Sequence, residues 1–194
     1  MFVAEYEVVT DALSIPVASL GRDWFGMELS CPPFIGCAID PHHFHFRANR
    51  AAGACVHPGA AAGCFAPDLW QYDAAEFFLV DPENGRYLEF NLAPNGAWWS
   101  CEFTAPRQRA RPDDVPFPDV VTASRMCPES WEASASLPLE PLRDRLRFGP
   151  GSRLNATATL MQPKPSLLTV VPLGSGTPDF HQPDRIPEID LQPV

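Results

Sequence analysis

Carboxylate and amide side chains alternate with aromatic ones in the segment 69–103 and could bind a polar ligand. Glu76, Glu89 and Asn91 offer hydrogen-bonding groups, and Trp70 and Trp98 offer flat apolar surfaces. An aromatic surface beside carboxylate and amide groups suits the C–H faces and hydroxyl rims of a sugar. The segment therefore indicates a small-saccharide site. The candidate ligand-binding residues are Trp70, Asp73, Glu76, Glu89, Asn91, Trp98 and Ser100.

Two Asn-Gly pairs divide this segment into strands and predict which side chains oppose each other. Asn-Gly is the preferred sequence of a two-residue type I′ hairpin turn, and the turn fixes the register of its strands. The pair at 84–85 then places Phe77 opposite Leu92, and the pair at 95–96 places Leu92 opposite Trp99. We therefore predict one apolar face for all three strands.

The opposite face of the same three strands carries the polar residues. Its predicted rows are Glu76 with Ala93 and Trp98, Phe78 with Asn91 and Ser100, and Val80 with Glu89 and Glu102. Directly opposed carboxylates such as Glu89 and Glu102 cost stability unless a cation or ligand relieves them. Two explanations remain open. Either Trp98 is covered by a loop and nearby arginines (Arg107, Arg109, Arg111) relieve the charge, or the face binds a ligand.

Strand-like segments recur along the whole chain and predict an all-β fold. The 23 prolines and 12 glycines are dispersed, which is typical of frequent turns between short strands. The predicted strands are 2–9, 44–49, 75–80, 86–92, 97–103, 131–139, 153–161 and 167–173. Only 139–146 has helical spacing. The segment 106–128 indicates a long loop with one short strand, and 179–194 indicates an extended tail over the surface. We expect a single domain, 1–194, folded as a two-sheet antiparallel β-sandwich with that one short helix.

Composition and charge exclude several function classes. A net charge of −10 makes nucleic acid and anionic membranes unsuitable partners, because they attract clustered lysine and arginine. No apolar run is long enough for a membrane span, and the N-terminal segment is acidic where a signal peptide is basic. We therefore expect a cytoplasmic protein whose six cysteines are reduced thiols.

Several motifs resemble one family of sugar-binding domains. The stretches "LWQYDAAEFFL", "RYLEFNLAPNGAWW" and "WEASASLPLEPL" are similar to strand motifs of family 9 carbohydrate-binding modules and of the wider DOMON-like β-sandwich group, which includes small bacterial proteins. The resemblance implies a sandwich in which an aromatic residue and a strand carboxylate hold a saccharide, at positions that match Trp70 and Glu76. The family clamps the sugar between two tryptophans, but "PSLLTVVPLG" has none, so Trp98 is the expected substitute.

The resulting functional hypothesis is a non-catalytic module that binds a small saccharide or a related ligand. An interaction module that uses the same face for another protein is the alternative. A glycosidase with Glu76 and Glu89 as acid and base is a further possibility, for which nothing in the sequence fixes the carboxylate separation. The sequence does not indicate an oligomeric state.

Two histidines raise the question of a metal or a haem. His43 and His45 lie on the same side of a predicted strand, and a third ligand would have to come from His57, His181 or a carboxylate. Structural zinc sites need four ligands, so we expect no tight zinc binding here. Some DOMON-like domains bind haem through methionine and histidine, but the four methionines show no such pairing. We therefore expect no cofactor.

Overall fold

A computed structural model of the chain describes residues 2–193, which form two β-sheets packed face to face. The first sheet is seven-stranded. In spatial order it contains β13 (Asp190–Pro193), β1 (Phe2–Glu5), β3 (Pro33–Ile39), β4 (His43–Arg50), β10 (Ser130–Pro138) and β9 (Val121–Cys127), with β2 (Ala18–Ser19) paired to part of β3.

The second sheet is six-stranded and carries the site described below. Its spatial order is β12 (Ser166–Thr169), β11 (Arg153–Leu160), β5 (Ala74–Val80), β6 (Tyr87–Leu92), β7 (Trp98–Ala105) and β8 (Gln108–Arg109). One α-helix, α1 (Leu139–Leu146), follows β10, and short 3₁₀ turns occur at Ala12–Ser14, Leu69–Gln71 and Pro183–Arg185. None of the helices within residues 2–193 is long and apolar enough to cross a membrane.

Phenylalanines join the two sheets at the centre of the core. Phe77 of β5 meets Phe44 and Phe46 of β4 edge-on, with ring centroids 5.1 Å apart in both pairs. Phe90 of β6 stacks on Phe77 at the same centroid distance. Alternate residues of each strand point into this core, and the other residues point outward, as the pleat requires. The β-sandwich and its short helix are confirmed.

The sandwich is less purely antiparallel than predicted, and β2, β3 and β13 are not among the predicted strands. The strand β1 pairs in parallel with both β3 and β13. Segment 33–39 forms β3 although its glycine and proline content obscured the strand pattern, and β13 comes from the predicted surface tail. The predicted long loop 106–128 contains two strands, β8 and β9, where one short strand is predicted.

The first Asn-Gly hairpin has a longer loop than predicted, but its strands keep their predicted faces. Asp81 pairs with Arg86 through a 2.8 Å backbone hydrogen bond, so the loop comprises residues 82–85. Phe77 consequently lies opposite Phe90 and not opposite Leu92. A displacement by an even number of residues leaves the inward and outward sets unchanged. The apolar face predicted for β5 and β6 is therefore correct.

The loop of the second hairpin is one residue longer than predicted, and this difference exchanges the inward and outward faces of β7. Ala93 pairs with Ala97, and the loop 94–96 ends at Gly96 with φ of 79°. Such three-residue loops commonly join a type I turn to a left-handed residue. Leu92 lies opposite Trp98. Because a slip of one residue exchanges the faces of a strand, the predicted outward position of Trp98 and inward position of Trp99 are both wrong.

Candidate functional site

A cleft of about 770 Å³ lies on the outer face of the second sheet. Its floor is formed by outward-pointing residues of β5, β6 and β7, and its walls come from loop segments around residues 23–25, 70–71 and 178–181. This volume is within the range of typical small-molecule sites. We call this feature the cleft.

Glu76 lies at the floor of the cleft and is almost fully buried, with 3% of its surface exposed. Two hydroxyls of the neighbouring strand donate to its carboxylate, from Thr159 at 3.0 Å and from Thr157 at 3.3 Å. Burial raises the pKa of Glu76 well above its ordinary value, and the nearby Glu89 carboxylate raises it further. No basic side chain within the described residues forms an ion pair with Glu76 at 4.0 Å or less.

Glu89 is the second buried carboxylate of the cleft and has partners that Glu76 lacks. The amide of Asn91 donates to it at 3.0 Å, and His181 Nε2 lies 3.6 Å from its other oxygen. Burial raises the pKa of Glu89, while the bond from Asn91 and the charges of Arg107 and Arg109 lower it. The two glutamates therefore share a site in which at least one of them tends to keep its proton.

The Tyr87 hydroxyl positions His181 beside Glu89. The Tyr87 hydroxyl accepts from the backbone N–H of Arg107 at 3.1 Å and forms a hydrogen bond with His181 Nδ1 at 2.7 Å. The other ring nitrogen of His181, Nε2, faces Glu89. Burial and the Arg107 charge lower the pKa of His181 to about 4, so the ring is neutral near pH 7.

Aromatic side chains form the walls. Trp99 of β7 is buried against the loop before β5, and the Arg109 guanidinium lies 5.4 Å from its ring centroid. Its indole Nε1 has no hydrogen-bond partner among the described residues. Trp70 and Phe25 line the same cleft with 54% and 71% of their surfaces exposed. The cleft thus combines apolar walls with acceptor and donor groups at its base.

This arrangement supports two kinds of chemistry. The carboxyl groups of Glu76 and Glu89 and the neutral imidazole of His181 can together accept and donate hydrogen bonds to the hydroxyls of a ligand. Carboxylates with raised pKa values in a cleft can also transfer protons at neutral pH.

Comparison with known proteins assigns the architecture but not the ligand. No model of a known protein family matches the sequence, and no curated protein sequence matches it significantly. The chain is similar in structure to a crystallised protein of Bacteroides uniformis to which carbohydrate binding has been attributed. The TM-score is 0.73, the sequence identity is 15%, and the match covers 99% of this chain and 98% of the other.

Two further similar structures are family 9 carbohydrate-binding modules of Caldicellulosiruptor kristjanssonii. The complex with cellotriose matches with a TM-score of 0.65 over all of this chain and 94% of the module. The complex with glucose matches with a TM-score of 0.61 over all of this chain and 96% of the module. Both modules are 12% identical to the chain. At this identity the likeness shows the sandwich fold.

Three of the candidate residues predicted from the sequence, Trp70, Glu76 and Glu89, line the cleft. Asn91 lies beneath it with no exposed surface and contacts Glu89. Asp73 is buried elsewhere: it accepts from the N–H of Met161 at 2.6 Å and lies 3.8 Å from Arg50. This pairing indicates that Asp73 holds the backbone in place.

Trp98 and Ser100 project to the other side of the sheet, because the register of β7 reverses them. Trp98 stacks on Phe90 in the core at 5.7 Å, and Ser100 accepts a hydrogen bond from the N–H of Phe117 at 3.1 Å. The predicted opposition of Glu89 and Glu102 is also wrong, since Cys101 is the partner of Glu89.

Glu102 is instead neutralised on the inner side of the sheet. Arg145 of α1 donates to it at 2.9 Å, and Arg86 lies 3.7 Å away. The predicted arginines have other partners: Arg107 pairs with Asp179 and Arg109 pairs with Asp114, both at 2.8 Å.

Sequence reasoning missed several residues of the cleft. Trp99 was assigned to the core, and the residues Phe180 and His181 were assigned to a surface tail. The motif "DFHQP" places an aromatic residue beside a histidine in a proline-rich segment. This pairing is the sequence feature that could have indicated Phe180 and His181 as site residues. Its position against Glu89 depends on long-range packing.

Proposed function

We propose that the cleft binds a small saccharide or a related polyhydroxylated ligand without transforming it. The observation that carries the proposal is the pairing of buried Glu76 and Glu89 with the aromatic walls of Trp70 and Trp99 in one cavity. Carboxylates accept hydrogen bonds from hydroxyls, and aromatic faces pack against sugar C–H groups.

The groups at the base of the cleft support this proposal. Glu76 and Glu89 line the cleft, and their carboxyl groups can form hydrogen bonds with the hydroxyls of a ligand. The exposed Trp70 at the rim would supply a second aromatic surface, in the place where the resemblance to carbohydrate-binding modules requires one.

The structural neighbours add support of a more general kind. Modules with this fold have been crystallised with glucose and with cellotriose. A cleft of about 770 Å³ can hold a ligand of that size class.

Calorimetric titration with a panel of monosaccharides and disaccharides tests the proposal. Trp70→Ala and Glu76→Ala should each weaken binding by about tenfold or more, because the first removes an aromatic surface and the second removes a hydrogen-bonding group. Glu140→Gln on the exposed part of α1 and Met126→Ala on β9 are matched controls and should bind like the wild type. Absence of binding to the whole panel, or equal binding by all variants, would refute a saccharide site in the cleft.

A separate assay with chromogenic substrates distinguishes binding from hydrolysis. Nitrophenyl glycosides incubated with the protein should release no nitrophenol beyond the buffer rate. Turnover that Glu76→Gln or Glu89→Gln abolishes would replace the binding-only proposal with acid–base catalysis, for which the raised pKa values of both glutamates are suited.

A protein-interaction module is the second candidate, because two large apolar side chains are exposed at the rim of the cleft. Trp70 and Phe25 could serve as anchors for a partner, as aromatic residues often do at interfaces. Light scattering over a range of concentrations tests self-association through this rim. Trp70→Ala should abolish any oligomer that forms there.

A further inference from the structure

The turn between β3 and β4 brings three potential metal ligands together, away from the cleft. Asp40 directly follows the last residue of β3, and His43 and His45 lie on β4. One ligand atom of each lies within 4.8 Å of the others. The sequence alone showed two imidazoles, and the turn adds the carboxylate as a third ligand.

The distances within this cluster fit first-row metal coordination. His45 Nε2 lies 3.1 Å from one oxygen of Asp40, and His43 Nδ1 lies 3.5 Å from the other. In a tetrahedral site with metal–ligand bonds near 2.0 Å, neighbouring ligand atoms are about 3.3 Å apart. Small side-chain rotations would therefore bring these atoms around one ion.

Neighbouring groups already hold two of the ligands in place. The other ring nitrogen of His45, Nδ1, lies 2.8 Å from the Ser136 hydroxyl. Without a metal, Nε2 donates its hydrogen to Asp40, and Nδ1 accepts from the Ser136 hydroxyl. A metal at Nε2 would require the hydrogen on Nδ1, and the same hydroxyl can then accept from it. Backbone N–H groups of His42 and His43 donate to Asp40 at 2.8 and 2.7 Å and fix its carboxylate.

Burial and charge also suit a cation. Asp40 and His45 are buried, whereas the His43 side chain is 44% exposed and gives access from solvent. The cluster thus offers one carboxylate and two imidazoles, which are ligand types that divalent transition metals bind, and one of the imidazoles is open to solvent.

We propose that Asp40, His43 and His45 bind one divalent transition-metal ion of the class that favours imidazole, such as Zn²⁺ or Ni²⁺. Three protein ligands leave a further coordination position for water or a small ligand, as in open zinc sites. This site is independent of the saccharide proposal, since none of its residues lines the cleft.

Calorimetric titration of the whole chain with ZnCl₂ and NiCl₂ tests the proposal. Exposed Cys31, Cys64 and Cys127 could bind zinc themselves, so the thiols are first blocked with iodoacetamide. We expect one ion per chain, with an affinity that falls more than about tenfold in His43→Ala. Ser136→Ala should weaken binding by about 10- to 100-fold through the orientation of His45.

The adjacent histidine provides a matched control. His42 is next to His43 in the chain but does not belong to the ligand cluster, so His42→Ala should keep the wild-type affinity. Metal-free melting curves establish that each variant is folded. If the thiol-blocked wild type binds no metal, or if His43→Ala binds as tightly as the wild type, the proposed site is refuted.

Discussion

Trp98 and Trp99 are adjacent in β7 but lie on opposite sides of the second sheet. Trp98 stacks on Phe90 between the two sheets, with ring centroids 5.7 Å apart. Trp99 faces the cleft, with the Arg109 guanidinium 5.4 Å from its ring centroid. One tryptophan therefore contributes to the core, and the other contributes to the candidate binding site.

The core role of Trp98 predicts a large loss of stability on truncation. Trp98→Ala should lower the free energy of unfolding by about 3–5 kcal/mol, because it leaves a cavity beside Phe90. Trp70→Ala, at an exposed position, should change it by no more than about 0.5 kcal/mol. Urea unfolding of both variants measures this difference. Similar losses in the two variants would contradict the assignment of Trp98 to the core.

The two Asn-Gly pairs show how far the sequence predicts this sheet. Alternation identified the strands and gave the correct faces of β5 and β6. The loop lengths depended on contacts that the dipeptide does not encode: Asp81 accepts from the N–H of Glu83 at 2.8 Å, and Asn95 donates to the carbonyl of Ala60 at 3.0 Å. These contacts lengthen both loops. The second loop gains one residue, and because this number is odd, the inward and outward faces of β7 are exchanged.

The turn glycines should differ in their tolerance of alanine. Gly85 and Gly96 both have positive φ, so alanine at either should cost about 1 kcal/mol of stability. A Cβ at Gly96 would also lie 3.2 Å from Ser124 Oγ, whereas one at Gly85 would meet nothing within 4 Å. Thermal melts of the two alanine variants should show the larger loss at Gly96. Equal losses would indicate that Ser124 moves aside without cost.

The position of His181 could not be predicted from sequence. Its ring meets Tyr87 across a separation of 94 residues, through a tail that has no regular pattern. Local periodicity reports which face of a strand a residue occupies, but it does not report which distant loop covers that face. The carboxylates of the cleft floor were therefore predictable, and most of its walls were not.

Asp73 provides a test that separates structural support from ligand contact. Its carboxylate accepts hydrogen bonds from the N–H groups of Cys55 and Met161 and lies near the buried Arg50. Asp73→Ala would leave the Arg50 charge buried without its partner and should cost about 3–5 kcal/mol. Chemical denaturation measures the loss. A variant that keeps wild-type stability but loses saccharide binding would instead place Asp73 in the site.

The buried carboxylate of Glu76 predicts a specific dependence of stability on pH. Its pKa is raised from 4.5 to about 8 in the folded protein, first by burial and then by the Glu89 charge. Above pH 4.5 the unfolded chain ionises this group while the folded protein retains the proton. The folded state then binds more protons than the unfolded state, so stability should fall as pH rises from about 4.5 to about 8.

Glu76→Gln removes this titration and should flatten the decline. Urea midpoints at pH 5 and pH 8 should therefore differ less in Glu76→Gln than in the wild type, and at pH 8 the variant should be the more stable protein. Glu140→Gln, at an exposed position of α1, is the control and should keep the wild-type slope. Parallel profiles for the wild type and Glu76→Gln would mean that Glu76 is ionised in the folded protein at neutral pH, with a cation or solvent at the floor of the cleft to stabilise its charge.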